Sequence, residues 1–268
     1  MKYYQKLVID RLAGVPLVIF TNIAARCLGF ILRRNHSLEI HPKHIVICKL
    51  VGMGSIVQST TLIINLKKQF PDAKITYFSS ETNRAILASI PLIDSIITID
   101  DKSFFSLVTS ISRAVGQIWK FKPDTFLDLE VYSNLTSFLS SLSLARNRIG
   151  YYRKDQTIRL GIYTHMLFFN SNAPIRESYL QMGRILGCTN TTSELHPLET
   201  TKASEESALK FLSDEYQLEP FQYIVINPNA SDLRVERKWP AAKFIALISR
   251  LAQRPFLERN SLSAARLR

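Results

Sequence analysis

The chain has 268 residues, of which 46% are hydrophobic and 21% charged, and it carries a formal net charge of +12. This composition excludes a disordered chain and leaves room for one large domain or two of ordinary size. The positive excess points to an anionic partner, a membrane surface or a phosphorylated substrate. Nucleic acid is not expected, because no single basic run, zinc-finger spacing or RNA-binding signature is present.

Residues 12–32 (LAGVPLVIFTNIAARCLGFIL) are apolar over the length of a membrane span, but carry Asn22 and Arg26 in the middle. On a helix, Asn22, Arg26, Gly29 and Arg33 fall on one face, and Leu17, Phe20, Ala24, Leu28 and Ile31 on another. Such an amphipathic helix fits best in the membrane interface, with its basic face toward lipid phosphates and Arg33-Arg34 on the cytoplasmic side. A true span and a helix packed on the protein itself stay open. The segment expected to be membrane-associated covers residues 1–40.

From residue 44 the pattern becomes alternating strand and helix. His44–Leu50 is a continuous apolar run, as for a strand buried on both faces. Helix is expected from about 55 to 70, strand at 74–79, helix at 81–89, strand at 95–100, helix at 103–120, strand at 125–130, helix at 133–144 and a short strand at 148–151. Residues 152–175 read as irregular, 176–187 as helix and 188–202 as linker. A helix at 203–214, a strand at 223–228 and a helix at 241–252 follow. Alternation of this kind means a parallel sheet of right-handed units, a Rossmann-like α/β domain over 41–190, with a second domain only begun in 191–268. The tail after Arg254 continues no such pattern, so a truncated or frame-shifted end is expected.

Three clusters carry possible chemistry. Lys49-Leu50-Val51-Gly52-Met53-Gly54-Ser55 follows the first strand. Its glycines allow a tight turn or a close approach to an anion at the following helix N-terminus. Asp128 and Glu130 end the 125–130 strand. A carboxylate there serves as general base or caps the next helix. Ser231, Arg237 and Lys238 follow the 223–228 run, in a polar basic loop suited to a diphosphate, or merely solvated before a helix carrying Pro240. Cys27, Cys48 and Cys188 stand far apart, so neither a metal site nor a disulfide framework is expected.

In order, Phe70-Pro71-Asp72-Ala73, Phe126-Leu127-Asp128-Leu129, Arg148-Ile149-Gly150-Tyr151, Pro228-Asn229-Ala230-Ser231 and Arg237-Lys238-Trp239-Pro240 resemble glycosyltransferase family 9, the heptosyltransferase-like enzymes. The resemblance covers about residues 44–250. It implies a GT-B architecture, two Rossmann-like domains facing a cleft, with the acceptor domain first and complete and the donor domain cut short. It also implies inverting transfer of a heptose-like sugar from a nucleotide-diphosphate sugar to a lipid-linked saccharide, at the cytoplasmic face of the inner membrane, without metal or cofactor. Lys49, Gly52, Gly54, Ser231, Arg237 and Lys238 are the implied substrate contacts. The family carries Gly-Asp where this chain has Gly54-Ser55, and that Asp is the proposed base. Glu130, where the family often has Gln, or Asp128 is the substitute expected here, beside Ser55. The alternative is a catalytically silent, membrane-associated glycan- or nucleotide-binding protein.

Overall fold

The computed structural model describes residues 8, 10–154, 157–189, 191–218, 223–228 and 238–253. It divides into two compact units, one running to Glu199 and one beginning at Thr200.

In the first unit, a π-helical turn (Asp10–Gly14) leads into α1 (Val15–Leu32). Then come β1 (His44–Cys48), α2 (Met53–Gln69), β2 (Lys74–Ser80), α3 (Arg84–Ala88, entered through the 3-10 turn Glu81–Asn83), β3 (Ser95–Ile99) and α4 (Phe104–Phe121). The unit continues with β4 (Thr125–Asp128), α5 (Asn134–Leu142), β5 (Asn147–Tyr152), β6 (His165–Phe168) and α6 (Ile175–Ile185). The strands form one sheet in the order β3-β2-β1-β4-β5-β6, and every pairing is parallel. The α/β reading therefore holds. The strand order reverses between β1 and β4, which face each other with Cys48 beside Asp128.

Strand alternation sorts β1 onto two cores. Ile45 and Ile47 pack with Ile56, Leu62, Ile63 and Leu66 of α2 and with Tyr179 and Met182 of α6. Val46 and Cys48 pack with Leu107, Ala114, Val115 and Ile118 of α4 and with Leu139 of α5. Both faces of the central strands are dry, so they read in sequence as unbroken apolar runs.

The structure corrects four expectations. Residues 165–168 form the edge strand β6 inside a stretch expected to be irregular; its residues are only half-buried or exposed, and the run is short and has no β-branched side chain. Residues 191–199, expected to be linker, are pinned to the first unit. The Thr192 N–H donates to Asn65 Oδ1 at 2.9 Å and the Glu199 N–H to the Ser89 carbonyl at 2.8 Å. The run 223–228 pairs with no strand among the described residues.

The fourth correction concerns α1, which is fastened to the protein along its Val18–Asn22 side while Arg26, Gly29 and Arg33 of the basic face stay exposed. Asn22 Nδ2 donates to the Leu160 carbonyl at 2.5 Å, and Arg26 Nε donates to Asn22 Oδ1 at 3.0 Å. Val18, on the same side, is fully buried with Ile162 and Tyr163. Gly161 makes this approach possible. Its φ is +92, and a Cβ there would stand 2.7 Å from Arg26 Nε and from Asn22 Oδ1. Upstream, Asp10 caps α5 by accepting from the Asn134 N–H at 3.0 Å and the Leu135 N–H at 2.8 Å.

The second unit has α7 (Lys202–Tyr216) and α8 (Ala241–Ala252). Thr201 caps α7 through a bond from the Ser204 N–H. None of its described residues is buried.

One glycine gives a direct stability test. A Cβ on Gly150 of β5 would stand 2.5 to 2.7 Å from three ring atoms of Tyr163. That ring cannot retreat, because it is buried and its hydroxyl bonds Asp128 and Ser137. Gly150→Ala is expected to cost about 1–3 kcal/mol by overpacking. An unchanged urea midpoint would show that the ring yields.

Candidate functional site

The site lies at the carboxyl edge of the sheet, at the reversal between β1 and β4, where open α/β sheets take their ligands. The loop after β1 is held on both sides. Glu130 Oε1 accepts from the Leu50 N–H at 2.9 Å and the Val51 N–H at 2.8 Å. Ser80 Oγ and Asn83 Nδ2 donate to the Leu50 carbonyl at 3.0 and 2.9 Å. The chain then turns at Gly52, with φ +95, into the first turn of α2. That turn has no side-chain cap and no acidic residue. A Cβ on Gly54 would meet nothing within 4 Å, so the approach to this helix end is open.

Lys49 and Glu130 form an ion pair at 2.8 Å, each less than a tenth exposed. The carboxylate thus serves three donors: the ammonium and two loop N–H groups. Asp128 lies deeper, at zero exposure. Its Oδ2 receives Arg159 Nη2 at 3.1 Å and the Tyr163 hydroxyl, and its Oδ1 receives the Glu130 N–H at 2.9 Å. Burial pushes the Asp128 carboxyl up, against the opposing pull of Arg159, Tyr163 and the Glu130 N–H.

Arg159 organises this interior. It is fully buried and donates to Ser137 Oγ at 2.7 Å, the Val131 carbonyl at 2.7 Å, the Glu130 carbonyl at 3.0 Å and the Tyr163 hydroxyl at 2.7 Å. One side chain thereby fixes the segment that carries both carboxylates.

The structure brings Lys49, Gly52, Gly54, Ser55, Asp128 and Glu130 to one edge. Both acids are buried and turned to donors of the first unit. Asp128 turns into the interior toward Arg159, and Glu130 folds back onto the loop, because each finds donors there that offset the loss of water. Ser55 is half-buried beside the Tyr179 hydroxyl, whose acidity burial weakens while the Ser55 side chain opposes the shift. Lys238 is exposed and belongs to the second unit. Ser231 and Arg237 lie outside the described residues. Sequence reasoning missed Arg159, Tyr163 and Tyr179. No local signal marks them, since Asp128 and Ser137, which Arg159 and Tyr163 bond, lie 22 to 35 residues away in the chain, and Tyr179 lies on a different helix from Ser55. Among the described residues, no group of three His, Cys, Asp or Glu side chains is placed to hold a metal ion.

No family model matches the chain, and no curated protein matches it. Solved structures do. A glycosyl transferase family 9 protein from Veillonella parvula aligns over 78% of this chain and 59% of its own, at 23% identity and TM-score 0.65. E. coli ADP-heptose lps heptosyltransferase II aligns over 78% and 61%, at 15% identity and TM-score 0.59. E. coli heptosyltransferase WaaC with ADP-2-deoxy-2-fluoro heptose aligns over 78% and 66%, at 13% identity and TM-score 0.55. The first unit therefore has a heptosyltransferase-like fold, and the chain spans about three-fifths of the length of the first two solved relatives.

Proposed function

We propose that this chain belongs to an inverting glycosyltransferase that moves a heptose-like sugar from a nucleotide-diphosphate sugar to a lipid-linked saccharide at the cytoplasmic face of the inner membrane. The observation that carries the reading is the braced glycine loop at the strand-order reversal, on a fold shared with heptosyltransferases. An uncapped helix start without acidic residues favours an anionic group, above a Lys49 whose charge is paired with Glu130. Asp128 is fully buried whereas Glu130 keeps slight exposure, which favours Glu130 as the group that acts on an acceptor hydroxyl. In this reading Ser231, Arg237 and Lys238 serve the diphosphate, and no cofactor takes part.

The second reading is a silent glycan-binding protein. It is favoured by the saturation of both carboxylates and by Ser55 at the place of the expected acid. Transfer of labelled sugar from a panel of nucleotide-diphosphate sugars to a bacterial glycolipid extract separates the two. Transfer that survives Ser55→Ala and disappears with Glu130→Gln supports the enzyme. Glycolipid binding without transfer by any form supports the binder, and neither binding nor transfer overturns both.

A further inference from the structure

We propose that the outward face of α1 is a bilayer-docking surface, which inserts apolar side chains among lipid tails while the opposite face stays fastened to the first unit. Around the helix, Ile19, Phe20, Ile23, Cys27, Phe30 and Ile31 share one arc. Phe20, Phe30 and Ile31 are 70%, 81% and 70% exposed. The segment Leu12–Ile31 is long and apolar enough to cross a membrane. It does not cross one here, because Val18, Asn22 and Arg26 are committed to the protein's own 158–163 segment. The Asn22 amide is bonded to the Ile158 and Leu160 carbonyls, and Arg26, bonded to Asn22 and Leu160, stays exposed at the border of the apolar arc, where its charge can reach headgroup phosphates.

The occupant follows from charge. Arg33 and Arg34 follow the carboxyl end of the helix and are exposed, and the whole chain carries +12. A second copy seated on this face would bring like charges together, whereas an anionic lipid surface complements them. The helix lies against α5 with its start beside the N-terminus of that helix, where Asp10 caps it and Gly14 meets Asn134. That end of α5 follows directly on β4 and Glu130. A bilayer on the arc would therefore meet the domain beside the edge that bears the glycine loop, where a lipid-linked saccharide would present its sugar. The inference deepens the membrane part of the proposed function and rests on that part alone. Vesicle docking without transfer leaves it standing, and transfer without docking overturns it while sparing the transferase.

The test uses the chain's own thiol. Cys27 is exposed on the arc, while Cys48 and Cys188 are buried, the first pushed up by burial and the second pushed up to about 11 by burial. A thiol-reactive, polarity-sensitive dye should label Cys27 selectively. Vesicles of equal parts phosphatidylethanolamine and phosphatidylglycerol should shift its emission to the blue, and the shift should survive high salt. Phe20→Glu with Phe30→Glu, both at exposed positions, should weaken vesicle binding roughly 100-fold with circular dichroism unchanged. The proposal fails if vesicles leave the dye unshifted. It also fails if the shift rises with protein concentration in the absence of lipid, since a second copy would then cover the arc.

Discussion

Arg159→Met is expected to be the most damaging single substitution in the first unit, lowering stability by about 3–5 kcal/mol, the scale of breaking a buried ion pair from one side. The reason is what it leaves behind. Asp128 would lose its cationic partner and keep only neutral donors such as the Tyr163 hydroxyl and the Glu130 N–H, and the carbonyls of Val131 and Glu130 and the Ser137 hydroxyl would each lose a donor. Asp128→Asn is expected to cost less, because a neutral amide still accepts from Tyr163 and from the backbone. In the double variant the two losses should fall well short of adding. Urea unfolding of the two single variants and the double gives the comparison. Strict additivity, or a loss under about 1 kcal/mol for Arg159→Met, would mean that the guanidinium is not what holds this interior together.

Glu130→Ala is expected to have the second-largest effect, and a local one. It strands Lys49 at less than a tenth exposure and removes the acceptor of two loop N–H groups. A loss of about 2–4 kcal/mol follows from the unpaired charge and the broken bonds. Glu130→Gln keeps an acceptor for Leu50 and Val51 and should retain about half of that. The measurement is amide hydrogen exchange at Leu50 and Val51, read against Ile47 in the strand core. Both loop amides should exchange much faster in Glu130→Ala, with Ile47 following only the global change. Protection unchanged at Leu50 and Val51 would remove the bracing role. This outcome also bears on catalysis. If transfer is found and Glu130→Gln abolishes it with the loop amides still protected, the carboxylate acts on substrate as well as on the loop.

The two substitutions concern neighbouring parts of one arrangement. Arg159 fixes the 128–131 segment from inside, and Glu130, on that segment, fixes the glycine loop from outside. The shape of the candidate site therefore depends on a fully buried residue that holds it from beneath. A conservative change at Arg159, such as Arg159→Lys, keeps the charge but loses the planar fork that reaches five acceptors, so it should behave more like Met than like wild type.

The sequence by itself determined the sheet and its helices. His44–Leu50 reads as a strand buried on both faces, and the structure has β1 at His44–Cys48. The 103–120 periodicity became α4 at Phe104–Phe121, and the run 241–252 became α8 with the same limits. Burial on both faces writes itself into local composition, and helix amphipathicity writes itself into spacing, so both are legible along the chain. The glycine loop was legible for the same reason, since a tight turn after a strand needs residues without a Cβ.

What only the tertiary structure decided was direction and partnership. The sequence separated the two faces of α1. It could not say which one meets the protein, because that depends on the Ile158 and Leu160 carbonyls offered more than 130 residues away. It placed Asp128 and Glu130 together at a strand end. It could not turn one inward and fold the other back, because that depends on Arg159 and on the loop amides. It gave 223–228 the composition of a strand, yet a strand exists only where a neighbour supplies a ladder. β6 has that neighbour in β5 and formed from a short run without β-branched side chains. Local pattern fixes how each residue would be buried, and non-local hydrogen bonds fix what it is buried against.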